Sequence, residues 1–328
     1  MFRKNGFWRE KEKEKRLFGL YKRREREFMA LVLEDVTKKF GDFTAVDHLS
    51  LTIPEKKIFG LLGANGAGKT TTIRMILGIL QPTEGKIRWN GEKIDYSNSH
   101  RVGYLPEERG LYPKLTVKEQ LLYLARLRNM GKEEALRQID LWLERFQVPE
   151  YKEKKVEELS KGNQQKIQFI AAILHKPELL FMDEPFSGLD PVNSDLLKKV
   201  VLDLADSGTT IIFSSHRMEQ VEELCQDLVI LRRGKPVVQG NLKEIKRAYG
   251  KKNIILHADG DLSFLSRVEG VTRVERTAVG AIVKVVSEEV SQRVLQEAMK
   301  AGFITKFALE EPSLHEIFVE KVGTSYES

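Results

Sequence analysis

Ile58-Phe59-Gly60-Leu61-Leu62-Gly63-Ala64-Asn65-Gly66-Ala67-Gly68-Lys69-Thr70-Thr71 is the stretch that decides the fold. Its five leading residues form an unbroken apolar run, the pattern of a strand buried on both faces of a parallel sheet. Gly63 to Thr70 then fits GxxxxGK[ST], the phosphate loop. Its glycines let successive backbone N–H groups converge on a β-phosphate without side-chain obstruction. Ile73, Met75, Ile76, Leu77 and Leu80 recur at helical spacing and predict a helix over 69–80, whose N-terminal amides would face the same oxygens. Lys69 supplies a point charge for the β/γ-phosphates, and the Thr70 hydroxyl suits a Mg²⁺ ligand. Gly63, Asn65, Gly66, Gly68 and Thr71 complete the expected nucleotide contacts. A glycine-rich turn without a ligand is the competing reading, and it needs neither the strand before nor the helix after.

Downstream, Leu179-Leu180-Phe181-Met182 ends in Asp183 and Glu184. Four apolar residues closing on two carboxylates read as a second buried strand that delivers both acids to its carboxyl end. Asp183 would hold Mg²⁺, directly or through water, and Glu184 would orient and activate the attacking water of phosphoryl transfer. A third strand is expected at Thr210 to Ser214, with His216 just past it, at the sheet edge where α/β active sites lie. Gln81 to Gly85 reads as a turn into a strand pair, Lys86 to Trp89 and Glu92 to Ile94. Between the first two nucleotide strands, the region from about 114 to 175 reads helical. Thr116 with Glu119 forms a capping box opening Val117 to Met130, a second helix covers Lys132 to Phe146, and a third starts near Asn163.

Composition sets the outer bounds. The chain of 328 residues is 41% hydrophobic and 31% charged, enough for one large α/β domain and a smaller one. Its longest apolar runs fall far short of the ~18 residues of a spanning helix. The single Cys225 excludes an internal disulfide framework and reads as a small buried apolar residue. The formal charge of +6 is concentrated: residues 1–28 hold 11 Lys/Arg against 5 Asp/Glu, and the other 300 hold 43 of each. A charge-neutral body argues against a nucleic-acid partner. The basic arm has no apolar h-region, so it is not a secretory signal. It reads as an anionic-lipid tether, a disordered tail, or a non-native extension translated from upstream of Met29.

Leu159-Ser160-Lys161-Gly162-Asn163 stands about ninety residues after the phosphate loop and about twenty before the acidic pair. With Ser187-Gly188-Leu189-Asp190 and His216, these motifs in this order resemble the ATP-binding subunits of ABC transporters over residues 30 to 240. The pentapeptide resembles their signature, written LSGGQ, with Lys161 and Asn163 as departures. The resemblance implies an α/β P-loop ATPase fold with an N-terminal antiparallel β subdomain and a helical insertion. It implies an ATPase using ATP and Mg²⁺, with His216 as the switch histidine at the γ-phosphate and Phe40 as the ring that stacks on adenine.

It also implies that Ser160, Gly162 and Asn163 bind the γ-phosphate of ATP held by an opposite subunit, so that two copies, or a copy and a paralogue, meet head to tail. Asn163 additionally reads as a good helix N-cap. In Val102-Gly103-Tyr104-Leu105-Pro106-Glu107-Glu108 the family places Gln near Glu107; a carboxylate there still suits Mg²⁺ but brings negative charge near phosphate. Leu105 to Pro113 and the tail Leu309 to Phe318 resemble ATPases paired with ABC-2-type permeases, including sodium-efflux systems.

The expected domains are a basic arm over 1–28, an ABC ATPase domain over 29–245 with its helical subdomain at about 114–175, and an accessory α+β domain over 246–328, read as a dimerisation or regulatory element. Its strands are expected at Asn253 to His257, Thr272 to Glu275, Ala281 to Val286 and Ile304 to Leu309, and its helices at Glu288 to Ala301 and Ser313 to Lys321. The expected function is the ATPase subunit of an exporter, peripheral on the cytoplasmic face of the cell membrane, with sodium or a drug-like compound as cargo. A soluble ABC-type ATPase acting on ribosomes or DNA is the alternative.

Overall fold

A computed structural model of the chain describes residues 29–108, 110–250 and 252–323. The expectations for the basic arm fall outside the described residues. The chain divides into two compact units. One runs up to His216 and takes in Leu231–Pro236; the other comprises Arg217–Ile230 and everything from Val237.

The first unit opens with a hairpin of β1 (Met29–Phe40) and β2 (Phe43–Pro54). β3 (Ile58–Leu62), buried at every position, leads through the glycine-rich turn into α1 (Lys69–Ile76). That helix is shorter than the apolar spacing predicts, because Gly78 turns the chain at a positive φ. β4 (Glu84–Trp89) pairs with β1 and completes a three-stranded antiparallel sheet, β2-β1-β4. Residues 92–94, expected as a strand, make only one bridge, Trp89 with Glu92, across a turn in which Asn90 and Gly91 both have positive φ. Beyond it Asn98 bonds back to Asp95 and Lys93 and bends the chain away from any further pairing.

β5 (Val102–Leu105) precedes the helical insertion: α2 (Val117–Leu127), α3 (Lys132–Arg145) and α4 (Lys161–Ile173). Thr116 and Glu119 cap α2 as a reciprocal box. Phe146 and Phe169 meet 5.6 Å apart in the insertion's core, both fully buried. Each contributes about 2–3 kcal/mol of apolar burial. The buried Lys166 ammonium donates to the Phe146 carbonyl at 3.2 Å, holding α4 to the end of α3.

β6 (Leu179–Asp183), α5 (Pro191–Asp206) and β7 (Thr210–Ser215) complete the nucleotide core. The strands run parallel in the order β5-β6-β7-β3. β5 has only four residues, too short to stand out by pattern. Gly103 on it is dictated by close approach, since a Cβ there would sit 2.4 Å from the Ala172 carbonyl oxygen of α4. Register aligns Asp183 with Ser214 and Leu62 with Ser215. The acids, the two serines and the start of the glycine-rich turn therefore share one carboxyl edge of the sheet, the edge where such sheets bind ligands.

His175, after α4, is held against the Val102 carbonyl at 3.1 Å. Burial pushes its pKa down to about 4 from 6.5. The unfolded chain therefore binds a proton that the folded chain does not between those values, and stability falls as pH drops from about 6.5 to about 4. The loss approaches ~1.4 kcal/mol per pH unit within that window. Urea unfolding of His175→Gln should show a shallower decline from pH 7 to pH 5 than wild type.

In the second unit the chain passes through α6 (Met218–Leu224), β8 (Asp227–Arg232), β9 (Lys235–Asn241) and α7 (Leu242–Tyr249), of which Leu231–Pro236 fall in the first unit. β10 (Asn253–Ala258), β11 (Val271–Thr277), β12 (Gly280–Val285) and β13 (Ile304–Glu310) form an antiparallel sheet ordered β11-β12-β10-β13. α8 (Val290–Ala301) closes a small core through Val290 and Val294, with Ile254, Leu256 and Val283 from the sheet. α9 (Leu314–Val322) starts at a Ser313/Glu316 capping box. Cys225 is buried, and burial pushes its thiol pKa up. Among the described residues no helix is long and apolar enough to cross a membrane.

Candidate active site

The turn after β3 wraps a cavity of about 390 Å³ lined by Asn65, Gly66, Gly68, Lys69, Thr70, Thr71, Glu107, Asp183 and Glu184, with Phe43, Ala45 and Ala67. Gly68 caps α1 at φ +104, and a Cβ there would meet the Ala45 carbonyl oxygen at 2.6 Å, so only glycine fits. Gly63, a sequence candidate, does not line the cavity. Its carbonyl accepts a 2.7 Å bond from the Lys69 ammonium, which also donates to the Ala64 carbonyl at 3.2 Å. Burial pushes the Lys69 pKa below its ordinary value, against the opposing pull of the Glu184, Asp183 and Glu107 carboxylates.

The acidic edge is ordered by hydroxyls and amides. Thr70 donates to one Asp183 oxygen at 3.0 Å, and the fully buried Ser214 donates to the other. Glu184 sits at φ +50, a left-handed conformation costing a non-glycine residue about 1–3 kcal/mol. It is held there by its own N–H to the Ser214 carbonyl at 3.1 Å. Its Oε1 accepts the His216 backbone N–H at 2.9 Å and lies 2.8 Å from His216 Nδ1. An ionised carboxylate only accepts, so with Glu184 ionised the ring proton sits on Nδ1. Ser215 donates weakly to the other oxygen at 3.4 Å.

Thr70, Asp183 and Glu107 offer hard oxygen donors around one space, a set that fits Mg²⁺. No cluster of three or more His, Cys, Asp or Glu suited to a metal occurs among the described residues. A small protein donor set completed by substrate phosphates is the usual habit of Mg²⁺.

The signature candidates and Phe40 lie elsewhere. Ser160, Gly162 and Asn163 begin α4 and do not line the cavity. The helix starts at Lys161, two residues before the expected position, and its N-cap is Ser160 rather than Asn163. The Ser160 oxygen accepts the Asn163 N–H at 3.4 Å, and the Asn163 side chain donates to the Tyr151 hydroxyl at 3.0 Å. A Cβ on Gly162 would make ordinary contact with Gly188 and Leu189, so the signature lies against the segment that resembles the D-loop. Phe40 is exposed at the end of β1 beneath the Lys38 ammonium, while its hairpin partner Phe43 lines the cavity.

Sequence reading passed over Phe43, Ser214 and Ser215. The signal for the serines was present, as two small polar residues closing a strand that is buried throughout.

Glycine-rich turn, lysine and paired acids at one sheet edge define the class of phosphate-loop nucleotide hydrolases. The sequence pattern of the ABC transporter family matches residues 46–187, and that of the C-terminal domain of DrrA1-3-like ATP-binding proteins matches residues 240–322. The uncharacterized ABC transporter ATP-binding protein YhaQ of Bacillus subtilis is 62% identical over 297 residues, spanning 90% of this chain and all of that one. The linearmycin resistance ATP-binding protein LnrL of the same organism is 32% identical, over 89% of this chain and 98% of LnrL. A solved ATP-binding subunit of an ABC transporter superposes with a TM-score of 0.64 at 29% identity, over 67% of this chain and 93% of the other. The chain belongs to the ABC transporter ATP-binding proteins, and it binds and hydrolyses ATP.

Proposed function

We propose that the chain powers an exporter from the cytoplasmic face of the membrane, driving a separate ABC-2-type permease through ATP-dependent head-to-tail dimerisation. The observation that carries this reading is the separation of two halves of one site. The phosphate loop and acids surround one cavity, while the exposed Ser160 lies outside it at the open N-terminus of α4. That helix end offers backbone N–H groups and a positive dipole end suited to a phosphate. With one phosphate loop and one signature per chain, a second copy or a paralogue supplies the missing half. Exposed Lys161 adds a cation at the same helix start.

Within the cavity, Lys69 and the amides of Asn65 to Thr71 bind the phosphates, Thr70, Asp183 and Glu107 would hold Mg²⁺, and Phe43 presents an aromatic face to adenine, with Phe40 of the same hairpin as a second ring outside the cavity lining. Glu184 activates the water, and His216 turns its Nε2 to the γ-phosphate. Tyr112, Tyr123 and Leu127, all exposed, with the two tyrosine rings 6.2 Å apart edge to face, support an apolar docking surface for the permease. Residues 29–245 form the ATPase domain and 246–328 an accessory dimerisation or regulatory domain. The resistance function in LnrL's name favours a drug-like cargo.

The test is gel filtration of a hydrolysis-deficient Glu184→Gln chain. With ATP and Mg²⁺ it should elute at twice its nucleotide-free mass. Adding Ser160→Arg should return it to the monomer position while single-chain ATP affinity stays unchanged. A Ser160→Arg chain that still dimerised would sink the head-to-tail reading.

A further inference from the structure

Gln168 lies on α4 two turns beyond the Ser160 cap and is buried. Its Nε2 donates to the Pro106 carbonyl and the Glu108 carbonyl, each at 3.1 Å. Those carbonyls flank Glu107, which lines the nucleotide cavity. One amide group thus pins the peptide unit preceding Glu107 and the one following Glu108, which limits the directions open to the Glu107 side chain. Among the described residues the Gln168 Oε1 has no hydrogen-bond partner. Retaining a buried unpaired acceptor is costly, and such groups call for a role beyond stability.

A second glutamine secures the far end of the same segment. Gln120 of α2, fully buried, accepts the Tyr112 N–H at 2.7 Å on Oε1, and its Nε2 has no partner among the described residues. Two helices of the insertion therefore grip the chain between β5 and α2, each through a half-satisfied buried amide.

We propose that Gln168 is the positioning residue for Glu107, and that it makes α4 a rigid link between the nucleotide cavity of this chain and the signature at its own N-cap. Eight residues of helix separate Ser160 from Gln168, about 12 Å along the axis. A shift of α4 when Ser160 engages a phosphate in the opposite subunit moves the Pro106 and Glu108 carbonyls with it. Glu107 then moves relative to Thr70 and Asp183. Gln120 holds Tyr112 while this happens, so the displacement is taken up beside Glu107. The link to an opposite subunit rests on the head-to-tail reading above; the control of Glu107 does not.

The experiment measures affinity of the full chain for a fluorescent ATP analogue with Mg²⁺ and with EDTA, and takes the ratio. Gln168→Leu should change that ratio roughly fivefold, in the same direction as Glu107→Gln. The double variant should go no further than Glu107→Gln alone, and the affinity of the Gln168→Leu single variant in EDTA should stay that of wild type. Gln168→Asn, whose shorter amide cannot span both carbonyls, should give the same direction and serves if the leucine variant fails to fold. In the nucleotide-free chain, hydrogen exchange at the Glu107 and Glu108 amides should speed up in the Gln168 variants.

Additive effects, an unchanged ratio, or an equal loss with Mg²⁺ and EDTA would overturn the proposal. A Mg²⁺ ratio that behaves as stated in a chain that never dimerises would instead overturn the head-to-tail reading alone.

Discussion

Lys69→Ala should weaken ATP binding more than 100-fold while leaving the fold intact. The ammonium is the one buried cation in the phosphate loop. It is parked on the Gly63 and Ala64 carbonyls inside the turn that frames the cavity. Removing one member of a desolvated charge pair costs about 2–5 kcal/mol of binding. At 1.4 kcal/mol per decade, a middle value exceeds 100-fold. Stability should change little, because the same burial that lowers the Lys69 pKa already taxes the folded state. Equilibrium titration with a fluorescent ATP analogue, beside a thermal melt, separates the two effects. Wild-type affinity in a folded variant would remove Lys69 from the site.

Glu184→Gln should slow hydrolysis about 1,000-fold with ATP affinity retained, the middle of the range for a positioned general base. The substitution keeps the side chain's length and its acceptor for the His216 backbone N–H. It removes the second acceptor oxygen and the charge that could take a proton from water. The left-handed backbone at residue 184 is equally strained for Gln, so stability gives no competing explanation. Single-turnover phosphate release would resolve the step. A rate within tenfold of wild type would show that another group takes the proton.

The two variants probe motifs that differ in how they are read. Gly63 to Thr71 and Asp183-Glu184 are legible because each function there is written in consecutive residues: glycines for backbone approach, then a lysine and a hydroxyl, or an apolar run closing on acids. The signature at Leu159 is equally local, but its partner within the chain is not. That Ser160 caps α4 while Asn163 bonds Tyr151 depends on how 149–151 pack, which spacing along the chain does not encode. The expected strand at 92–94 failed for a similar reason. There the Asn98 side chain accepts the Asp95 N–H and donates to the Lys93 carbonyl, and these local bonds take the place of strand pairing.

By itself the sequence determined the class of machine. Phosphate loop, signature, acidic pair and histidine occur in an order that fits an ABC transporter ATP-binding protein, and the lone phosphate loop beside a lone signature is what motivates the proposal of a second chain. Only the tertiary structure decided what holds those residues in place. Ser214 meets Asp183 across 31 residues, His216 meets Glu184 across 32, and Gln168 reaches the carbonyls around Glu107 across 60 or more. A hydrogen bond acts over about 3 Å and is indifferent to chain separation. Parallel register and helix packing set those partners, and neither leaves a local pattern to be read.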